Sequence, residues 1–429
     1  MKSELNNKSM FGSWLKTFGR LAAGFSFLVV FWSCSSVTSL NDETGGNYLR
    51  LPFVRVLLDE GNSSVKIQAE NSFAIECLQE AEQSVYYYSS PVTAEVKNSK
   101  VFIKDNKGAQ ILGDLNEVNF LPRGKGNFLK VGAKRYRGLI KVLPSGKNAQ
   151  VVNVVYLEDY LRGVVPPEIG ERTPAEVEAV KAQAVAARTY ALAHLGQYAD
   201  QQYDIKSSII DQLYDGYEIE EKLVNKAIDD TEGKVLFYQD GFVNAYYHST
   251  CGGMTDNIDH VWDRIETPYL KAVSDSGACS WSKYYTWKEF FTESQLRGRI
   301  ELFLSSDRGR DFKINRIKDI TILERTPGGR VGELIVKTDK DVLSFKKDRI
   351  RWVIGRTSNP DLILPSDRFT VDIDRDGAGY VSGVTFVGRG YGHGVGMCQC
   401  GAIGLARIGW SYDSILGHYY TNVELKDLY

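Results

Sequence analysis

Charge of one sign is the first thing this 429-residue sequence lacks: 52 lysines and arginines meet 54 aspartates and glutamates, leaving a net charge of -2. With no basic arm and no long charge run, nothing in it attracts nucleic acid in general. It has no internal repeat and no low-complexity block, which excludes solenoid and collagen-like architectures. Nor has it an apolar run of the roughly 20 residues that a bilayer-spanning helix needs. What it has is 43% hydrophobic and 25% charged residues, the balance of a globular protein long enough to bury a substantial core. Aromatic residues are plentiful, with 24 Tyr and 7 Trp; they suit stacking on sugar rings and equally an ordinary amphipathic surface.

The longest apolar run near the start, Leu21 to Trp32, follows Lys8, Lys16 and Arg20. It is short for a membrane span and fits the core of a signal peptide, with Met10 as an alternative start. Ser33-Cys34-Ser35-Ser36 comes next, where a small residue before cysteine has the form of a lipoprotein cleavage site. The expectation is an exported protein anchored through Cys34 and acting in the periplasm or at the cell surface. Ordinary cleavage nearby, or an uncleaved anchor, are the alternatives. Residues 35–48 read as a polar tether, and residues 49–150 alternate with a period of two, as antiparallel strands do. Thr173-Pro174-Ala175-Glu176 has the form of a capping box, and an Ala-rich helix should follow from Val177 to Leu195, ended by Gly196. Strands return around Ile320–Leu323 and Glu333–Val336, joined by a turn at Pro327-Gly328-Gly329. Two short helices should close the chain, about Gln399 to Ile408 and after Ser411. The fold class is therefore α+β: an antiparallel β-rich N-terminal region packed with a mixed α/β core (residues 151–429) that carries the Ala-rich helix. A β insertion is expected at about 288–385.

Four groups of residues have chemical potential. Glu168 follows Pro166 and Pro167, which stiffen the backbone around it, as a catalytic acid requires. A solvent-facing glutamate near a helix N-terminus has the same local sequence. Lys181 and Arg188 share one face of the Ala-rich helix, about 10 Å apart along the axis. There they suit holding an anion or orienting Glu168, or simply an exposed cationic stripe. From Gly388 to Gly396 glycine occupies every second position; an extended chain of this kind has one bare face, open to a ligand or a second strand. Tight packing would explain the glycines but not His393, and the run matches neither GxxxxGK[ST] nor a helix-opening GxGxxG. Lastly, His248, Cys251, Cys279 and Cys398 form a mixed imidazole–thiolate set suited to structural zinc. Their spacing matches no compact zinc signature, and a Cys251–Cys279 disulfide or free thiols are the alternatives. A Cys398–His393 nucleophile pair is a further reading, without an identifiable third group.

Taken together these segments resemble the stage II sporulation protein D / amidase-enhancer (SpoIID/LytB) family. The resemblance lies in the run from Asn153 to Glu168, AVKAQAVAARTY from Ala179 to Tyr190, DQLYDG from Asp211 to Gly216, HSTCGG from His248 to Gly253 and GHGVG from Gly392 to Gly396. Tyr136-Arg137-Gly138 upstream and the closing ILGHYY from Ile415 to Tyr420 also fit, in the family's order. The resemblance implies a peptidoglycan lytic transglycosylase with Glu168 as acid and base and Lys181 and Arg188 as functional cations, with His393 added from the glycine run. Its substrate would be the glycan strand, with no cofactor required and a cell-wall amidase as a possible partner. The rival is a non-catalytic wall-binding activator of such an amidase. Some clostridial relatives bind zinc just before DQ-x-Y; here Tyr203 to Asp211 carries neither His nor Cys, so that site is not carried over. Cys398-Gln399-Cys400-Gly401 departs from the family's usual Ser-Gln-Tyr-Gly. Glu158, Asp159 and Asp211 lie in the same motifs, without an argument for any of them as a second acid.

Overall fold

The computed structural model describes residues 52–429 apart from 80, 81, 125 and 360. The expected signal segment, Cys34 and the tether lie outside the described residues. Among those described, no helix is long and apolar enough to cross a membrane.

Alternating sequence becomes a sandwich of two largely antiparallel sheets. The first has seven strands in the order Ile205–Lys206, Phe53–Asp59, Asn148–Tyr156, Leu139–Ser145, Val118–Arg123, Ser72–Gln79 and Glu82–Tyr88. The second has six: Lys134–Tyr136, Leu129–Val131, Ser64–Ala69, Val92–Lys97, Lys100–Lys104 and Gln110–Leu115. Val92, Ala94 and Val96 point inward and their neighbours outward, the burial that period-two alternation dictates. The same hydrophobic cluster takes in Val54, Ile75, Phe120 and Val142 from the first sheet and continues into the helices that follow. The border expected at residue 150 falls inside the strand Asn148–Tyr156, which pairs with both Phe53–Asp59 and Leu139–Ser145.

That strand runs directly into helix α1 (Leu157–Ile169). A one-turn 3-10 segment, Pro174–Glu176, then leads into α2 (Val177–Ala193), where the Glu176 carboxylate accepts from the Thr173 backbone N–H as the capping-box sequence requires. α2 is buried on nearly every side, and its alanines let α1, α3 (Lys222–Asp230), α7 (Gln399–Arg407) and α8 (Tyr412–Tyr419) approach closely. A short α4 (Ile258–Val261) precedes the inserted segment. There α5 (Glu293–Arg308) and α6 (Arg349–Ile354) pack with the antiparallel strands Ile317–Arg325, Val331–Thr338 and Val342–Lys346. A second three-stranded sheet, Thr286–Thr292, Val381–Arg389 and Phe369–Arg375, completes a separate hydrophobic cluster from Phe291 to Phe386.

The glycine run departs from the extended chain expected for it. Gly390, Gly392, Gly394 and Gly396 all have positive φ, so the segment turns at each of them. At Gly396 a Cβ would lie 2.0 Å from the Tyr246 carbonyl oxygen, so both backbone conformation and space demand glycine. Inside α1, Gly163 is required for space alone. A Cβ there would sit 2.6 Å from the Tyr214 ring and 3.1 Å from the Gly216 carbonyl oxygen. Alanine ordinarily stabilises a helix by about 1 kcal/mol over glycine. Here Gly163→Ala is expected to destabilise by about 1–3 kcal/mol through overpacking, read as a lower denaturation midpoint.

Candidate active site

Glu168 stands in the last turn of α1, not on the stiff loop that its two prolines suggested. Pro166 and Pro167 are inside the helix. A proline offers no N–H to the carbonyl four residues back; for Pro167 that carbonyl is Gly163, and it accepts instead from Asp215 N at 3.1 Å. The segment carrying Asp211 to Gly216 therefore repairs the helix that its prolines interrupt. It also aims at the carboxyl: Leu213 N donates to Glu168 Oε1 at 2.9 Å.

The residues on either side of Leu213 are fixed. Gln212 is fully buried, its Oε1 accepting from Tyr160 OH at 3.0 Å and its Nε2 donating to Tyr247 OH at 2.9 Å. Tyr214 OH donates to Asn153 Oδ1 at 2.7 Å. The Tyr247 hydroxyl accepts from Gln212 and hydrogen-bonds Glu168, as does the Gln399 side chain. Gln399 Nε2 lies 3.4 Å from Gln183 Oε1 on α2. Tyr247 and Gln399 come from adjacent backbone, since Tyr247–His248 pairs in parallel with Met397–Cys398.

Glu168 thus keeps a partial opening to solvent within a largely protein environment. Burial pushes its pKa up to about 7, against the pull of the Leu213, Gln399 and Tyr247 hydrogen bonds. A carboxyl so poised holds its proton near neutral pH and can take it back, as a general acid/base must. No second carboxylate is among the groups that set this value. Glu158 is paired with Arg188, Asp159 lies 3.7 Å from Arg137 and 3.4 Å from Arg162, and Asp211 accepts from Lys206 N at 2.9 Å.

The structure does not bring Lys181 or Arg188 to Glu168. Lys181 pairs with Glu178 at 3.0 Å and Asp230 at 3.7 Å. Arg188 is completely buried and grips Glu158 with two hydrogen bonds of 2.7 and 2.6 Å. The side of α2 towards Glu168 instead carries Gln183, with Ala187 O 3.4 Å from Gln212 Nε2 and Tyr190 OH 3.5 Å from Asp211. Positions 183 and 190 are two residues on from 181 and 188, about 200° around the helix. Tyr190 stacks on His194 at 3.9 Å, and an aromatic row continues through Tyr246 and Trp262. None of Gln183, Tyr190, Tyr247 and Gln399 was singled out from the sequence; a polar or aromatic residue recurring at 183, 190 and 194 in an Ala-rich helix was the available signal.

His393 acts one step away. Its Nε2 donates to the Tyr247 carbonyl at 2.9 Å and its Nδ1 accepts from Val395 N at 3.1 Å. Enclosure lowers its pKa to about 4, so it is neutral at physiological pH. It holds the backbone of Tyr247. Both ring nitrogens being engaged, none remains to deprotonate Cys398, which removes the Cys–His nucleophile reading.

Of the residues grouped for zinc, Cys251, Cys279 and Cys398 meet, and Asp275 joins them where His248 was expected. His248 Nδ1 lies 3.2 Å from the Val395 carbonyl oxygen. The Cys251 and Cys279 sulfurs are 3.6 Å apart and unbonded, all three cysteines being free.

The family model for Stage II sporulation protein matches residues 145–238, which hold α1, α2 and the Leu213 segment, and a domain of unknown function (DUF8618) matches 278–396. Stage II sporulation protein D of Bacillus subtilis is 30% identical over 75% of this chain and 87% of its own length. An uncharacterized protein of Brachyspira hyodysenteriae is 29% identical over 80% and 86%. The amidase enhancer of Bacillus subtilis is 31% identical over 62% of this chain, which spans only 40% of that relative. With its motifs gathered around one carboxyl, the chain belongs to the stage II sporulation protein D family.

Proposed function

We propose that the protein is an exported lytic transglycosylase that cuts peptidoglycan glycan strands between N-acetylmuramic acid and N-acetylglucosamine. The observation that carries this reading is the placement of Glu168, a largely enclosed carboxyl at the end of α1 that accepts from Leu213 N and faces Tyr247 and Gln399, with no carboxylate partner among the described residues. Burial there pushes its pKa up to about 7. Protonated Glu168 gives its proton to the glycosidic oxygen as the C1–O bond breaks. The resulting carboxylate then takes the proton of the muramyl 6-hydroxyl, whose oxygen bonds to C1. The products are a 1,6-anhydro end and a free 4-hydroxyl; Glu168 ends protonated and no water is consumed. Most glycoside hydrolases use a second carboxylate to activate water or attack the sugar; among the described residues no carboxylate hydrogen-bonds Glu168 or contributes to its raised pKa. Leu213 N–H, Tyr247 and Gln399 stabilise the transient carboxylate, and the Tyr246–Trp262 row offers faces on which sugar rings can stack.

The test is digestion of purified glycan strands, with and without stem peptides, followed by mass analysis. Anhydromuramyl ends support the proposal; hydrolytic ends or no cleavage would reject it. Since the first step needs protonated Glu168, kcat/KM for cleavage should fall about tenfold per pH unit above pH 7. The similarity to an amidase enhancer favours a second role, stimulation of a cell-wall amidase. Stimulation that survives Glu168→Gln would separate the two.

A further inference from the structure

We infer that Cys251, Asp275, Cys279 and Cys398 form a structural zinc site that clamps together the two segments delivering Tyr247 and Gln399 to Glu168. The inference is independent of the glycan-cleaving reading. All four side chains are buried, and their ligand atoms lie within 4.8 Å of one another. Zinc–sulfur bonds of about 2.3 Å place two thiolates of a tetrahedron about 3.8 Å apart. Cys251 and Cys279 are already 3.6 Å apart, and Cys251 Sγ is 3.1 Å from Asp275 Oδ2.

Backbone N–H groups converge on the same atoms, as they do on ligands that must remain anionic. Cys398 Sγ accepts from Cys251 N at 3.1 Å and from Gly401 N at 3.2 Å, where it caps the N-terminus of α7. Cys251 Sγ accepts from Gly253 N at 3.3 Å, and Asp275 Oδ2 from Cys279 N at 3.0 Å. Arg368, held 2.8 Å from the Gly252 carbonyl oxygen, supplies positive charge beside a site whose four anionic donors exceed the charge of one zinc ion. A Cys251–Cys279 disulfide would leave Cys398 and the buried Asp275 carboxylate outside the bond, although their ligand atoms lie in the same cluster. Zinc uses all four, the three thiols passing their protons to solvent as the metal binds.

The placement gives the metal its purpose. Cys251 follows Tyr247 by four residues, and Cys398 immediately precedes Gln399. The paired strands Tyr247–His248 and Met397–Cys398 are short, two residues each, and a metal bridging their far ends fixes their relative position.

The test is metal analysis of the purified full chain, reduced, exposed to zinc and then dialysed. About one zinc per chain is expected, falling below a tenth in Cys279→Ser and in Asp275→Ala but kept in His248→Gln. Substitution by cobalt in the wild-type protein should give the intense near-ultraviolet thiolate-to-cobalt absorption of a tetrahedral site. That readout holds even where a variant fails to fold. No metal uptake by the reduced wild-type protein, or a Cys251–Cys279 disulfide found by mass in the native protein, would overturn the inference. Loss of zinc in His248→Gln with retention in Asp275→Ala would overturn the ligand set.

Discussion

Glu168→Gln is expected to lower glycan cleavage by about 10²–10⁴-fold, the usual contribution of a general acid/base, and at the same time to make the protein harder to unfold above pH 7. Glutamine keeps the shape and an acceptor for Leu213 N but has no proton to deliver. The stability gain follows from the same burial that suits the residue to catalysis. In the folded chain the Glu168 pKa is about 7, against an ordinary carboxylate value of 4.5. Between those values the native state keeps a proton that the unfolded chain has lost, so stability falls as pH rises through the interval. Above pH 7 the full cost is present, at most roughly 3 kcal/mol for a shift of this size. Glutamine removes it, less whatever is lost where its amide N–H groups meet Tyr247 and Gln399. Denaturant unfolding of both proteins at pH 4.5 and pH 8 checks the prediction: the variant's advantage should appear at pH 8 and be near zero at pH 4.5. Equal stability at both, or wild-type cleavage by Glu168→Gln, would reject the assignment. Improved stability with lost activity marks a site built for reaction at the expense of the fold.

How much of this was legible in the sequence depended on how local the determining interactions are. The capping box at Thr173, the strands of residues 53–156 and the two closing helices were readable because caps and alternation act within a few residues. The helix through Pro166 and Pro167 was not, because the donor that answers Gly163 comes from Asp215, far along the chain. The active face of α2 was hidden for a different reason. A helix buried almost all round has no polar side to mark its orientation, so Lys181 and Arg188 stood out by their charge and by the family resemblance, neither of which marks the face turned to Glu168. Asp275 is one of 54 acidic residues and carries no motif; only the fold sets it among three cysteines. Glu168 itself was identified by the motifs around it, while its raised pKa comes from burial in the folded chain, opposed by hydrogen bonds from Leu213, Tyr247 and Gln399, 45 or more positions away.

Arg188→Ala is expected to destabilise the protein by about 3–5 kcal/mol, the cost of stranding one partner of a buried ion pair. Glu158 would lose both guanidinium hydrogen bonds and keep only the Tyr429 hydroxyl, 2.5 Å from its Oε1. The carbonyls of Lys234 and Ile228, which Arg188 reaches at 3.1 and 3.4 Å, would lose a donor as well. That carbonyl pair is why Arg188 ties α2 at once to α3 and to the strand Lys234–Tyr238. Lysine would not rescue the fold, because a single ammonium cannot reproduce the planar, bidentate grip on Glu158. A double replacement, Arg188→Met with Glu158→Leu, removes both charges together and should recover most of the lost stability, as apolar substitutes for buried pairs often do. This double variant also decides between the two roles open to Arg188. The resemblance implies a functional cation, whereas its burial and its partners describe a structural one. If the double variant refolds, measured by its denaturation midpoint, and still forms anhydromuramyl ends at a rate within a few-fold of wild type, Arg188 is a structural residue. If it refolds and cleavage is lost, the arginine acts in the reaction and the ion pair seen here must open for it to do so.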